Sequence, residues 1–382
     1  MSKSKTLLPP TRPLYAALLI ILAFLLWLLA LPRPGVRETR LKAVLVPEAD
    51  TPRPAVPETI RVATYNLEHF TDGHHDGPDR TPAIFAVHAQ GAAAIIAEAN
   101  PDILFLQEIE NGRTLIYLNS LLPNPYPYIY ISRLRRSSGL KDKLNMALLS
   151  RLHPQRVRQL SFHALPYPGR PSRGVISAEF ALDDLTTLLS YGMHLKSNFG
   201  EAPNNRAQRT IALHHTAADA VNVALRNQPR QTVTLMLGDT NVDPETEQFA
   251  DDPSLTPLAG AYLDLWLGRP LEERTTIPTR EAGETGDPLL VFPPAAFDRV
   301  FASRNLGGAD AWLVQPPQVI QKGTDTTNNL TPPGVNGHVT DHFLVYVDLI
   351  RNPDYTPPPP ENSEVAAPLY HPLSEKHRAN KL

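Results

Sequence analysis

The 382-residue sequence contains no cysteine. Disulfides, thiolate metal sites and cysteine nucleophiles are therefore excluded, although a domain this large needs no cross-links and the absence says nothing of redox compartment. An excess of charge of one sign is also missing. The 36 Lys+Arg against 39 Asp+Glu leave a net charge of -3, which excludes a nucleic-acid coat protein and a charge-driven disordered chain. No P-loop GxxxxGK[ST], GxSxG elbow or HExxH occurs, so ATPase, α/β-hydrolase and zincin chemistry fall away. What remains is oxygen and imidazole chemistry on a chain whose 42% hydrophobic and 20% charged residues suffice for one large core or two smaller ones.

Proline is present in excess: 40 residues, about 10% against the usual ~5%. Six fall within 32–57 and seven within 353–382, including Pro357-Pro358-Pro359-Pro360. Proline removes backbone donors and favours extended chain, so 32–57 is expected to be a linker and 352–382 a disordered tail. A single long apolar run, Leu14–Leu31, follows the short basic tail 1–13 and carries no charge. At ~1.5 Å per residue it nearly matches a ~30 Å hydrocarbon layer. It is longer than the core of a signal peptide and lacks a clear A-x-A site, which favours an uncleaved single-pass anchor with the domain outside the cytoplasm. A cleaved signal and a secreted protein are the alternative. The globular unit is expected at 58–351.

Within it, apolar runs with strand character occur at Ile60–Tyr65, Ile103–Gln107, Tyr128–Ile131, Met146–Ser150, Val175–Phe180, Leu185–His194, Thr232–Leu237, Ala296–Phe301 and His342–Leu349. Helical patterns cover Pro82–Ala99, Arg113–Leu121 and Asn204–Arg226. The irregular alternation, with consecutive strands in the middle, predicts mixed sheets covered by helices.

Polar residues cluster at the ends of these strands: Tyr65-Asn66-Leu67-Glu68, Leu106-Gln107-Glu108, Met193-His194-Leu195-Lys196-Ser197, Gly238-Asp239-Thr240-Asn241, Phe297-Asp298-Arg299 and Thr340-Asp341-His342. Converging strand ends of this kind supply oxygen ligands for a hard divalent cation and two imidazoles for proton transfer. In this order YNLE, LQE, MHLKS, GDTN, FDRVF and TDH resemble the motif series of the endonuclease/exonuclease/phosphatase superfamily, over Ile60 to Leu349. The resemblance implies a four-layer α/β sandwich, two mixed β-sheets packed face to face and flanked by helices. It also implies phosphoester hydrolysis with Mg²⁺, for which Mn²⁺ or Ca²⁺ are substitutes.

Carried over by position, the resemblance makes Glu108 the principal metal carboxylate, with Asn66 beside it and Asp341 near the same ion. His194 and His342 become the imidazoles at the scissile phosphate, and Asp298 the partner that fixes the His342 tautomer. No acidic partner for His194 is evident. Asp239 and Asn241 would orient the attacking water and hold a phosphate oxygen, their i, i+2 spacing placing both on one side of an extended segment. Arg173 resembles a phosphate contact and Asn145 a substrate-side amide, although a glycine usual beside the latter is missing. The blander readings are turn residues for Asn66 and Asp239 and a helix-start carboxylate for Glu108. His69, His74 and His75 match no regular zinc spacing.

From Arg133 to Arg173 ten basic residues face only Asp142, a net +9, which suggests an anion-binding face or merely a solvated one. Tyr126, Tyr128, Tyr130 and Tyr167 lie nearby as candidates for base stacking or for packing. The leading expectation is a Mg²⁺-dependent phosphodiesterase, a nuclease acting on DNA or RNA. The alternatives are a sphingomyelinase- or phospholipase C-like enzyme on phospholipid, an inositol phosphatase, for which GDTNVD lacks the flanking Trp and Arg, and an inactive membrane-tethered binding module.

Overall fold

The computed structural model describes residues 35–356 apart from 75, 79, 136–139, 167–168, 284–285, 287–290, 292 and 309. The apolar run 14–31 and the tail from 357 lie outside the described residues, as do His75, Arg136 and Tyr167.

Strands β3 (Thr59–Phe70), β4 (Ile103–Ile109), β5 (Tyr128–Ile131), β6 (Asn145–Ser150), β13 (Trp312–Val314) and β15 (Leu344–Arg351) join β2 (Ala43–Leu45) in one sheet, with β14 (Gln318–Ile320) on β15. The other sheet runs in the order β1 (Arg37–Arg40), β7 (Arg156–Ser161), β8 (Val175–Ala181), β9 (Thr186–His194), β10 (Gln231–Asp239), β12 (Asp298–Ser303), β11 (Tyr262–Asp264). Period-2 alternation gives each strand an inner and an outer face. Ile60, Val62, Phe105 and Leu148 of one sheet meet Ile176, Leu188, Leu235 and Val300 of the other in a shared core. Gly192 marks a close approach between them, because a Cβ there would collide with the Phe105 ring.

The outer faces are covered by helices. Helix α1 (Pro82–Ala99) starts where the Thr81 hydroxyl caps the Ile84 amide and proline occupies the first turn, and it ends at left-handed Asn100. It is long and apolar enough to cross a membrane. Here, however, Ala89, Ala92, Ala93 and Ile96 pack with α2 (Gly112–Ser120) on Ala63, Tyr65, Leu104 and Leu106. On the other side, α3 (Ala202–Asn227) lays Ala212, Leu213, Ala220 and Val223 on Leu189, Tyr191, Met193 and Met236. The layers are helix, sheet, sheet, helix, the expected sandwich.

Three expectations change. The segment 32–57 is not a linker throughout: residues 37–45 contain no proline, prolines only flank them, and β1 pairs antiparallel with β7 while β2 pairs with β5. At the other end, Asn352 donates to the Ala311 carbonyl and Tyr355 packs against the core, so the ordered unit reaches past 351. The basic run does not form one face either. Arg158 is buried on the outer face of β7, bidentate to Asp219 of α3 at 3.0 and 2.9 Å, and Lys143 pairs with Asp76 at 2.8 Å. Tyr126 and Tyr128 are buried packing residues.

Candidate functional site

The inner face that builds the core also builds the cleft. In β9, β10 and β12 the inward series Leu188, Leu235 and Val300 ends in His194, Asp239 and Asp298, where the sheets part. Strand register makes these three neighbours: β9 and β10 run parallel with His194 opposite Asp239, and antiparallel β12 sets Asp298 opposite Asp239. In the facing sheet Ile60 and Val62 continue inward to Asn66.

Parity alone would send Glu108 to the outer face, after Leu104 and Leu106. A bulge corrects this. The β4 register shifts between Leu106 and Ile109, and Glu108 adopts φ +65°; the adjacent β3 shifts between Asn66 and Phe70, with Glu68 and His69 at φ +40° and +57°. The β4 bulge thus turns Glu108 into the cleft beside Glu68, which alternation already faces inward after Asn66, and the positive φ values make this a strained arrangement of the kind found at functional sites.

The resulting cleft, about 260 Å³, is lined by Asn66, Glu68, His69, Glu108, Arg173, His194, Ser197, Asp239, Asn241, Asp341 and His342. Asp298 lies behind it, with His342 Nδ1 2.7 Å from Asp298 Oδ2. Asn66 Nδ2 donates to Asp239 Oδ2 at 3.2 Å and lies 3.3 Å from His342 Nε2. His194 Nε2 stands 3.4 Å from Asp239 Oδ2 and 3.6 Å from Glu108 Oε1, while its Nδ1 is buried without a partner. Arg173 Nη1 approaches Glu108 Oε1 at 4.0 Å.

These contacts separate the titrations. Burial pushes Asp239 up to about 7, with Asp298 raising it further and His342 opposing. Burial and then the neighbouring Arg173, His342 and His69 hold His194 well below the usual histidine range, so its imidazole is neutral. Burial also disfavours charge on His342, but Asp298, Asp341 and Asp239 outweigh it and hold the ring well above its ordinary value. Two histidines in one cleft therefore differ in charge.

Burial first, then the like charges of Asp341 and Glu108, raise Glu68 well above the ordinary carboxylate range. Three carboxylates that line one cleft suit by their chemistry a hard divalent cation, which prefers oxygen donors, although their oxygens do not lie within 4.8 Å of one another. Glu68, Glu108 and Asp341 are the residues that would hold it. A separate acidic group, Asp72, Asp76 and Glu110, has ligand atoms within 4.8 Å of one another, but the Lys143 ammonium sits 2.8 Å from Asp76 and 3.4 Å from Glu110.

Of the residues singled out by sequence, Asn66, Glu108, Arg173, His194, Asp239, Asn241, Asp341 and His342 line the cleft and Asp298 supports it. Asn145 stands apart, its Oδ1 accepting from Leu134 N–H and its Nδ2 donating to the Glu110 and Asp142 carbonyls. Asn241 is not on an extended segment: it takes φ +55° and its N–H donates to Asp239 Oδ1 at 2.8 Å, a tight turn that still faces the cleft. Sequence reasoning passed over Glu68, His69, Ser197 and His338. Buried His338 accepts the Asp325 N–H at Nδ1, which leaves Nε2–H to donate to Glu68 Oε2 at 2.9 Å; that same oxygen accepts the Asp341 N–H. The signal for Glu68 was its place inside YNLE.

The profile described as "Endonuclease/Exonuclease/phosphatase family" matches residues 63–342. Among solved structures, TDP2 from C. elegans is similar at 17% identity, with 76% of this chain and 75% of that one covered and a TM-score of 0.51. An endonuclease/exonuclease/phosphatase family protein from Bacteroides thetaiotaomicron is similar at 15% identity, with 79% and 98% covered and a TM-score of 0.50. No curated protein matches the chain.

Proposed function

Because the chain belongs to the endonuclease/exonuclease/phosphatase family, a family of divalent-metal-dependent phosphoesterases, we propose that it is a Mg²⁺-dependent phosphodiester hydrolase and, more specifically, a nuclease. The observation that carries this reading is the alignment of His194, Asp239 and Asp298 across three adjacent strands, facing Asn66, Glu108 and His342.

Asp239, titrating at about 7, takes the proton of a water aimed in line at phosphorus, with Asn66 and Asn241 fixing the carboxylate and the water. His342, charged and locked at Nδ1 by Asp298, donates from Nε2 to a phosphate oxygen and stabilises the charge that builds there. Neutral His194 donates a second hydrogen bond, and Arg173, just before the strand beside that of His194, adds positive charge. A divalent ion on Glu68, Glu108 and Asp341 would supply Lewis-acid polarisation of a phosphoryl oxygen. Arg173 in the cleft and Arg280 close by support a polyanionic substrate.

A phospholipid phosphodiesterase is the second reading, favoured by the apolar run Leu14–Leu31, which as an anchor would hold an extracytoplasmic catalytic domain near lipid. The full-length chain and its His194→Ala variant, incubated with supercoiled plasmid, RNA and sphingomyelin vesicles in Mg²⁺ or EDTA, test both. Metal-dependent nicking lost in the variant is expected. Cleavage of lipid alone would replace the nuclease reading, and silence on all three would remove both.

A further inference from the structure

The catalytic cleft does not end at His342. It opens into a second recess of about 290 Å³ that shares Asn241, Asp341 and His342 with it. A group joined through a sugar to a phosphate seated in the cleft can therefore reach this recess. Its walls are flat and apolar: Phe249 and Phe297 meet edge to face at 5.5 Å, with Ile277 and Pro278 beside them. Gln248 brings a hydrogen-bonding edge, and buried Arg280, whose Nε and Nη2 donate to the Asp325, Asn328 and Thr331 carbonyls, brings a fixed positive charge.

Phe199 follows in the chain two residues that line these spaces. Its neighbour Ser197 lines the cleft and Asn198 lines the recess. The ring is 90% exposed, and the loop that carries it is clamped: the Phe199 carbonyl accepts from Lys196 Nζ at 2.6 Å and Asn205 Nδ2 at 3.3 Å, and Gly200 turns the chain at φ +101°. A large apolar ring held in solvent on a fixed loop forgoes the free energy that covering it would release.

We propose that the recess and Phe199 bind unpaired nucleobases adjoining the scissile phosphate, so that single-stranded nucleic acid is the preferred substrate; this rests on the nuclease reading above. A nucleobase offers a π-face to phenylalanine and proline, a polar edge to Gln248 and electron-rich oxygens or ring nitrogens to the Arg280 charge. An acyl chain would face those same polar groups with hydrocarbon, and Arg280 repels a quaternary ammonium headgroup. The sequence around Phe199 is Asn198, Gly200 and Glu201, polar rather than the continuous apolar patch a membrane surface needs. A base inside a duplex is stacked and paired and cannot enter without being extruded.

The test is fluorescence anisotropy on the full-length chain in EDTA, with a labelled 12-nucleotide single strand, its blunt duplex and a 12-unit abasic strand of equal charge. The single strand is expected to bind about 10-fold tighter than the abasic strand, in line with stacking on aromatic side chains. Phe199→Ala should remove about 5-fold of that preference and leave the abasic affinity unchanged. Ile277→Trp, with its melting curve checked, should remove the remainder by filling the recess. Equal binding of abasic and base-bearing strands, tighter binding of the duplex, or an equal loss on both strands in Phe199→Ala overturns the proposal. So does Phe199-dependent binding to sphingomyelin vesicles without a base preference. Because the readout is binding, a chain that prefers bases yet cleaves no phosphodiester in Mg²⁺ would refute the nuclease reading alone, and plasmid cleavage without a base preference would refute this inference alone.

Discussion

Around Asp243, every carboxylate meets a guanidinium. Asp243 Oδ1 accepts from Arg299 at 3.2 Å, its Oδ2 from Arg274 and the Ala296 N–H, and Arg299 turns its other nitrogen to Asp264 at 2.7 Å. Two residues earlier in the chain, the cleft is arranged differently. His194 Nδ1, Asp298 Oδ1 and Arg173 Nη1 are buried without hydrogen-bond partners, and Glu68, Glu108 and Asp341 repel one another. One network is saturated and the other is left with unspent bonding capacity. The first fixes the loop that follows Asp239; the second keeps its groups available for a substrate and a cation. Saturated buried charge holds geometry, whereas unsaturated buried charge stores reactivity at the expense of stability.

Asp239→Asn tests the unsaturated network most severely. Turnover should fall by at least about 10³-fold, since the base is lost, and in the wild type the rate should rise with pH and level off above an apparent pKa of about 7. Asp243→Ala attacks the saturated network and should destabilise the fold by about 3–5 kcal/mol, because fully buried Arg299 and Arg274 lose a shared partner; urea unfolding measures this. His338→Ala should weaken Mg²⁺ activation by about 10–100-fold, as second-layer partners of metal ligands do, while His338→Gln, which keeps a donor toward Glu68, restores part of it. A mutation confined to stability would move the melting curve but not the Mg²⁺ concentration needed.

The smallest effect has an informative sign. Asp239 is raised when folded, so its contribution to stability is present below the ordinary aspartate value and is lost as pH rises through about 7. In EDTA, Asp239→Asn should therefore be more stable than the wild type at pH 8, on the order of 1 kcal/mol, with the gap closing at pH 4. A thermal scan at the two values decides it, and a wider gap at the lower pH would contradict the burial argument.

The strands that build the core were readable because their inward positions are apolar at every second residue, and the polar termini followed from the same count. The cleft residues Asn66, His194, Asp239 and Asp298 were read as polar strand ends and by their motifs, and parity accounts for why they face inward. Glu108 was named by its motif, but its orientation depends on a bulge that no alternation encodes. Glu68 escaped although alternation continues inward from Asn66 to it, because the motif drew attention to Asn66 alone, and His338 escaped because it lies in a loop whose path only the fold determines. The edge strands β1 and β2 were hidden by prolines on either side, and β7 by arginines that looked solvated until α3 supplied Asp219.

The nine residues from Arg37 to Leu45 cross from the free edge of one sheet to the free edge of the other. They act as a clasp. A fragment trimmed to begin at 58 would leave β5 and β7 with bare amide and carbonyl rows, two open invitations to pair with another molecule. Expression trials should begin upstream of Arg37, and a shortened fragment that precipitates would be reporting a lost hem rather than an unstable enzyme.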